Sequence, residues 1–288
     1  MVWATCAEDI TRQWRGAALF ESFSGSAYTQ VAATGSETGI GVCNTTLGVG
    51  PLDQWDMANT LDVTVNQGVL ESKTDLEVLN GANRAVVGGE IIGFVNAVLI
   101  GTNQYRLSRL IRGQRDTRDD VGTHAANERF IRLDDNGLNI VQIEAAQVNV
   151  AKLHKSVATD GAVADVLTST TLTPTGRNLR QFAPCRLRHT GTAATTVNVS
   201  WTRRSRAITR LFGNSFPINH TDESYVLKFY DGSDVLRKTV TVTGATTFAY
   251  TQSARIADFG FNPTFMRLRI GQNGPLGVGN LAVYDMNL

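Results

Sequence analysis

Cysteine is scarce in this 288-residue chain. The three present, Cys6, Cys43 and Cys185, are odd in number and far apart. That excludes a Cys-x-x-Cys zinc ribbon or dithiol centre. Free, mostly buried thiols are expected instead. Charge is also low, 18% Asp, Glu, Lys and Arg against about 25% in ordinary soluble domains. Lys+Arg number 27 and Asp+Glu 26, a net charge of +1. A balance this even argues against a nucleic-acid binder that works by neutralising phosphates, so no nucleic-acid partner is expected. No apolar run approaches the length of a membrane-spanning helix, so no membrane span is expected. Residues 1–7 lack a basic segment and run straight into Glu8 and Asp9, so no secretory signal is expected.

Small and polar residues fill the gap left by charge. There are 33 Thr and 27 Gly, with only 6 Pro. Thr, Val and Ile favour pleated strands, and Gly serves turns and bulges. The composition predicts an all-β protein. Short apolar runs alternate with Gly/Ser/Thr/Asn clusters from Ala17 onward, as strands of about five residues with tight turns would. Thr60 to Val65 alternates like a half-buried strand. Leu76 to Leu79 runs, in the same theme, into Asn80-Gly81, a strong turn signal. Glu90 to Val95, Ala97 to Ile100, Tyr105 to Arg112 and Arg129 to Leu133 read as further strands. A polar loop separates the last two, from Gly113 to Asn127. At the N-terminus, Trp3, Cys6, Ile10 and Trp14 suit either one face of a short helix or an irregular arm.

Residues 1–140 are therefore expected to form a β-rich domain, and 141–180 a linker or extended segment. Ile143 to His154 is read as strand and loop. The Thr-rich stretch from Thr168 to Gly176 is a plausible junction. Residues 181–288 carry six or seven short alternating strands. Val197, Val199 and Trp201 share one face, as do Tyr225, Leu227 and Phe229. This pattern predicts a fibronectin-III or immunoglobulin-like β-sandwich that needs no disulfide.

Residues with chemical potential are scattered. His124, His154, His189 and His220 show no i,i+4 pairing, so no metal site is expected. Asp134 to Gly137 lacks the spacing of a calcium loop and reads as a turn. Asp116, Asp119 and Asp120 alternate with Arg115 and Arg118, as in a solvated mixed-charge loop rather than an acid/base pair. No Gly-x-Ser-x-Gly and no Walker loop occurs. The stretch from Trp201 to Arg210 is either an anion patch or a sandwich strand with Trp201 inward and the arginines outward; the second is favoured. No catalytic, metal or cofactor-binding residue and no cofactor is predicted, and the protein is not expected to be an enzyme. Receptor- or partner-binding residues stay unassigned. Two stretches long for sandwich turns, Arg206 to Thr221 and Gly271 to Gly279, are candidate contact loops.

An ordered set of motifs resembles a known family. It comprises Trp55-Asp-Met-Ala-Asn-Thr-Leu-Asp-Val63, Leu76-Glu-Val-Leu-Asn-Gly-Ala-Asn83 and Glu90-Ile-Ile-Gly-Phe94. Tyr105-Arg-Leu-Ser-Arg-Leu-Ile-Arg-Gly-Gln-Arg-Asp-Thr117, His124 and Glu128-Arg-Phe-Ile-Arg-Leu-Asp134 follow. Together they resemble the C-terminal part of tail-tip hub (host-specificity) proteins of siphophages and gene transfer agents. The Ser200-Trp-Thr-Arg-Arg-Ser-Arg206 stretch, with Glu223-Ser-Tyr225, is similar to the fibronectin-III-like domain that ends such hubs. One loop departs from the family pattern Arg-Gly-Arg-Arg-Gly-Thr-Glu, reading Arg112-Gly-Gln-Arg-Asp-Thr-Arg118.

The resemblance implies a structural baseplate-hub protein of a phage-like virion, closing the distal tip of the tail and taking part in host attachment. It implies a homotrimer whose partners are the distal tail protein, other hub subunits, a tail fibre and a host cell-surface receptor. The alternative is a dedicated receptor- or carbohydrate-binding tail-fibre module.

Overall fold

The structure, a computed structural model, describes residues 1–6, 13–52, 54–133, 137–205 and 223–288. It is all-β, with 45% strand and 10% helix. The chain divides into two compact units, Met1–Thr175 and Gly176–Leu288. That boundary lies inside the Thr-rich stretch expected as a junction.

In the first unit six antiparallel strands close on themselves. Going round, they are Gln104–Ile111, Leu61–Val65, Ile40–Cys43, Arg129–Arg132, Arg84–Val87 and Glu90–Gly101, the last pairing again with Gln104–Ile111. Closure leaves no open sheet edge around the ring, which removes a template for unwanted strand pairing. The barrel is filled by the inward residues of alternating strands. Leu61, Val63 and Val65 meet Leu107, Leu110, Phe94, Ile92 and Phe130, all buried. A two-residue strand, Trp55–Asp56, continues the edge beside Leu61–Val65 and pairs with Leu110 and Ile111. That short pairing carries Asp56 to the end of the barrel.

Leu76 to Leu79, read from sequence with the strands, is instead part of a helix, Asp75–Leu79. Thr74 caps it: its hydroxyl accepts from the Glu77 N–H, while the Glu77 carboxylate accepts from the Thr74 N–H. This is a capping box, Thr-x-x-Glu, a local signal legible in the sequence.

The linker or extended segment expected over 141–180 holds strands. Within it, strand Lys152–Ala158 pairs with Ala17–Ser22 on one side and Thr170–Leu172 on the other. Thr29–Thr34 completes this four-stranded sheet. The segment is ordered because Lys152 and Val157 are buried in the sheet, a long-range pairing that composition does not reveal. Trp3, which the helical reading placed with Ile10, lies in a two-residue strand against Asn139, and Ile10 lies outside the described residues.

Among the described residues the second unit has seven strands in two sheets. Cys185–Thr190, Val197–Thr202 and Thr247–Tyr250 form one; Leu236–Thr243, Ser224–Tyr230, Phe265–Gly274 and Gly277–Asn287 form the other. In chain order, strands one, two and five face strands three, four, six and seven. That is the arrangement of a fibronectin-III-like sandwich. Val197, Val199, Trp201, Tyr225, Leu227, Phe229, Leu268 and Ile270 form its core, following the period-2 pattern of the sequence. A helix not expected from sequence, Gln252–Phe259, starts at the Thr251 cap and stops at Gly260, whose φ of 79° suits a residue without Cβ.

The stretch from Gly271 to Gly279, expected to be a long loop, is not one. It is the end of a β-hairpin, with Gly271 opposite Leu281 and Gly274 opposite Gly277. The glycines serve close packing here, since a Cβ on Gly271 would lie 2.6 Å from a Val278 methyl. The other candidate loop, Arg206 to Thr221, lies outside the described residues, as does His220.

Candidate functional site

The most chemically organised region lies in the first unit, at the end of the barrel where Asp56, Glu90 and Arg112 meet. Arg112 follows the strand Gln104–Ile111, and Glu90 begins its neighbour Glu90–Gly101. Arg112 Nε and Nη2 donate to the two Glu90 oxygens at 2.9 and 2.8 Å. Its Nη1 donates to Asp56 at 3.0 Å and to the Gly48 carbonyl at 2.9 Å. All three side chains have zero solvent exposure. Burial of charge on this scale is tolerated only when each group is paired and hydrogen-bonded.

The remaining lone pairs are also met. The Gly113 N–H donates to Glu90 at 2.7 Å. The Ala58 and Asn59 N–H groups donate to Asp56 Oδ1, and the Asn59 amide donates to Oδ2 at 2.8 Å. His124 stands on the far side of Glu90, with Nε2 at 2.8 Å from Glu90 and Nδ1 at 2.8 Å from Glu128. Each ring nitrogen thus lies within hydrogen-bond distance of one carboxylate.

Electrostatics follow the geometry. Burial pushes the Glu90 carboxyl up, but hydrogen bonds from Arg112, His124 and the Gly113 N–H outweigh it and hold the group below the ordinary range. Burial acts the same way on Asp56. Asn59, Arg112 and Ala58 reverse it. Burial alone would lower the Arg112 pKa, and its two carboxylates raise it. The result is one connected chain, Asp56–Arg112–Glu90–His124–Glu128, with Arg112 ion-paired to both Asp56 and Glu90. It ties the loop before Leu61, two neighbouring barrel strands and the loop before Arg129 into one piece. Nothing in its three central side chains faces solvent, so its chemistry is that of a fastening.

Sequence reading assembled most of these residues without seeing that they meet. Trp55-Asp56, Glu90, Arg112, His124 and Glu128 each stand in one of the motifs that carry the family resemblance. His124 is therefore no isolated turn histidine. The other candidates stay apart. Asp119 is exposed in the loop after Gly113, and the side chain of Asp116 lies outside the described residues. His154 is buried in the four-stranded sheet, 3.9 Å from Glu21. His189 meets the Tyr284 hydroxyl at 3.0 Å. Among the described residues no group of three His, Cys, Asp or Glu is placed to hold a metal ion. Cys43 is buried in the barrel, and burial, aided by Glu128, raises its thiol to about 12. Residues 134–136 of the expected turn lie outside the described residues.

The basic stretch from Trp201 keeps its tryptophan inward. Trp201 packs edge-on to Tyr225, ring centroids 5.1 Å apart. Arg203 pairs with Glu223 at 3.0 Å, and Arg204 lies over the Phe182 ring. Arg206 and Arg210 lie outside the described residues.

Residues 38–131 match the sequence family described as Rcc01698-like, C-terminal. The matched segment is about a third of the chain and contains every member of the buried ionic chain. No curated protein matches. Similar solved structures include a two-domain fibronectin type III segment of chicken tenascin, at 13% identity and a TM-score of 0.28, covering 85% of this chain and 99% of that one. The chicken CNTN1 FN1–FN3 domains cover 94% of this chain and 88% of theirs, at 10% identity and a TM-score of 0.28. Domains d3–d4 of the rat CD45 extracellular region cover 55% of this chain and 74% of theirs, at 11% identity and a TM-score of 0.29. Likeness at such scores carries no argument; the sandwich rests on its own strand order and core.

Proposed function

We propose that this chain is a structural tail-tip hub component of a phage-like particle, closing the distal end of the tail and taking part in host attachment. The observation that carries the reading is the match over residues 38–131 to a gene-transfer-agent-associated family. The motifs behind the resemblance fall largely inside that segment, and their polar residues form one buried fastening rather than an open catalytic pocket. A closed barrel pinned by internal ion pairs suits a part that must stay rigid within an assembly. A threefold ring would close such an assembly without leaving a free interface. The sandwich adds a second rigid platform. No helix among the described residues is long and apolar enough to cross a membrane.

The test is direct imaging. Fab fragments raised against residues 181–288 are bound to intact particles and viewed by electron microscopy. Label at the far tip of the tail is expected. Label on side fibres would favour a separate receptor-binding module. Absence of label, with Fab still binding the purified chain and a second Fab against residues 38–131 also failing, would overturn the virion reading.

A further inference from the structure

The outer face of the three-stranded sheet in the second unit holds a notch of about 210 Å³, lined by Arg186, Arg188, Ser200, Trp201 and Thr202. Its geometry follows from strand register. Arg188 pairs with Ser200, so both project to one face, and Thr202 follows Ser200 on that face. Val197, Val199 and Trp201 point into the core instead, which fixes the strand that carries the two hydroxyls. Between Cys185 and Arg188 the register slips by one residue. Arg186 sits in that bulge at φ 52°, in the left-handed region. A bulge re-aims side chains, and a non-glycine residue held at positive φ is a feature the surrounding structure must support.

Both guanidinium groups are unspent. Among the described residues, the neighbouring Arg203 and Arg204 engage Glu223 and Phe182. Arg186 and Arg188 are exposed and make no ion pair or hydrogen bond among the described residues. Two planar donor forks beside two hydroxyls form a concave, cationic, donor-rich surface with no carboxylate of its own.

We propose that this notch binds an acidic sugar, its carboxylate or phosphate held by Arg186 and Arg188 and its ring hydroxyls by Ser200 and Thr202. Guanidinium matches an oxyanion bidentately. Serine and threonine hydroxyls both donate and accept, as sugar hydroxyls require. The volume is about seven times that of a liquid water molecule, enough for one sugar ring and too small for a folded partner. Two arginines in a chain of near-zero net charge do not make a nucleic-acid surface. The inference deepens the attachment reading and rests on it only for the source of the sugar, a cell-surface glycan.

The experiment uses the full purified chain and four probes: glucuronate, glucose, inorganic phosphate and an aspartate hexapeptide. Binding is followed by ligand-observed NMR and by calorimetry at low and moderate salt. Glucuronate is expected to bind with a Kd on the order of 1 mM. Glucose and phosphate are expected to bind at least tenfold more weakly, and Arg186→Ala/Arg188→Ala is expected to lose glucuronate by at least tenfold. Both arginines are exposed, so the variant's thermal melt should match the parent and shows whether any loss is one of folding. Equal binding of glucose and glucuronate would overturn charge recognition. Equal binding of phosphate or of the peptide would overturn the sugar. Unchanged binding by the double variant would overturn the site. Particle imaging answers a separate question: a chain that binds glucuronate but never labels the tail tip would keep the notch and lose the hub.

Discussion

Arg112 and Glu90 meet through two parallel N–H···O bonds of 2.9 and 2.8 Å, with neither side chain exposed to solvent. The pair lies where two neighbouring barrel strands end and begin, so it fastens the barrel at one point of its circumference. Removing Glu90 leaves Arg112 with Asp56 as its one carboxylate and its Nε and Nη2 donors buried without acceptors. Glu90→Ala is therefore expected to destabilise the first unit by about 3–5 kcal/mol. Hydrogen exchange resolves where. Amides of the barrel strands should lose protection, while those of 176–288 should not. Unchanged exchange in 90–111 would sink the fastening role.

The two carboxylates around Arg112 set an acid limit. Glu90 and Asp56 titrate below their ordinary values of 4.5 and 3.8 in the folded chain. A carboxyl with a depressed folded pKa contributes stability above its unfolded pKa and loses it as pH falls through the folded one. Urea midpoints should be flat in their dependence on these two groups above about pH 5 and fall steeply from about pH 4 downward. Glu90→Gln removes one titrating group, so the acid limb should be shallower than in the parent at equal starting stability. A parallel acid limb in that variant would show that other carboxylates dominate.

Arg255 is a buried cation whose hydrogen bonds go to carbonyls. Its side chain donates to the carbonyls of Tyr250, Thr192, Ala193 and Thr195 at 2.8 to 3.2 Å. Burial lowers its pKa. The residue stitches the helix Gln252–Phe259 to the turn between the first two sandwich strands. Arg255→Met fills the volume but leaves those acceptors without donors, at an expected cost of about 2–4 kcal/mol. The loss should appear in the thermal melt of the sandwich and in exchange of 190–197. A melt within 1 °C of the parent, about the noise of the measurement, would contradict it.

Gly41 and Gly35 should respond oppositely to alanine. Gly41 sits in a barrel strand between Phe130 and Val65, and a Cβ there would collide with the Thr64 carbonyl oxygen. Backbone on a neighbouring strand cannot move aside without opening the ring. Gly41→Ala is expected to cost at least about 2 kcal/mol. At Gly35 a Cβ meets nothing within 4 Å, and Gly35→Ala should be neutral or stabilise by up to about 1 kcal/mol through the unfolded chain. Chemical denaturation of the two variants side by side checks the contrast.

Local regularities in the sequence carried part of the fold to the surface. The sandwich strands could be read because Val197, Val199 and Trp201, and Tyr225, Leu227 and Phe229, alternate with polar residues, and a period of two needs no tertiary knowledge. Thr74 and Glu77 offered an equally local capping signal, though Leu76 to Leu79, three apolar residues around Glu77, were read with the strands. Long-range pairing had no such signature. Lys152 to Ala158 reads as linker or extended chain until it is placed between Ala17–Ser22 and Thr170–Leu172. The Gly-rich run from Gly271 looks like a loop until its partner Gly277–Asn287 is laid beside it.

The sequence by itself determined that this chain is built of short strands, that its second part is a sandwich and which polar residues stand in the family-like motifs. Only the tertiary structure decided that the first unit closes into a ring and that Asp56, Arg112, Glu90, His124 and Glu128 form one ionic chain. The reason is physical. Alternation and capping are set by neighbours a few residues apart, whereas an ion pair between residues 22 positions apart, Glu90 and Arg112, exists only once strand register has brought them together and taken water away.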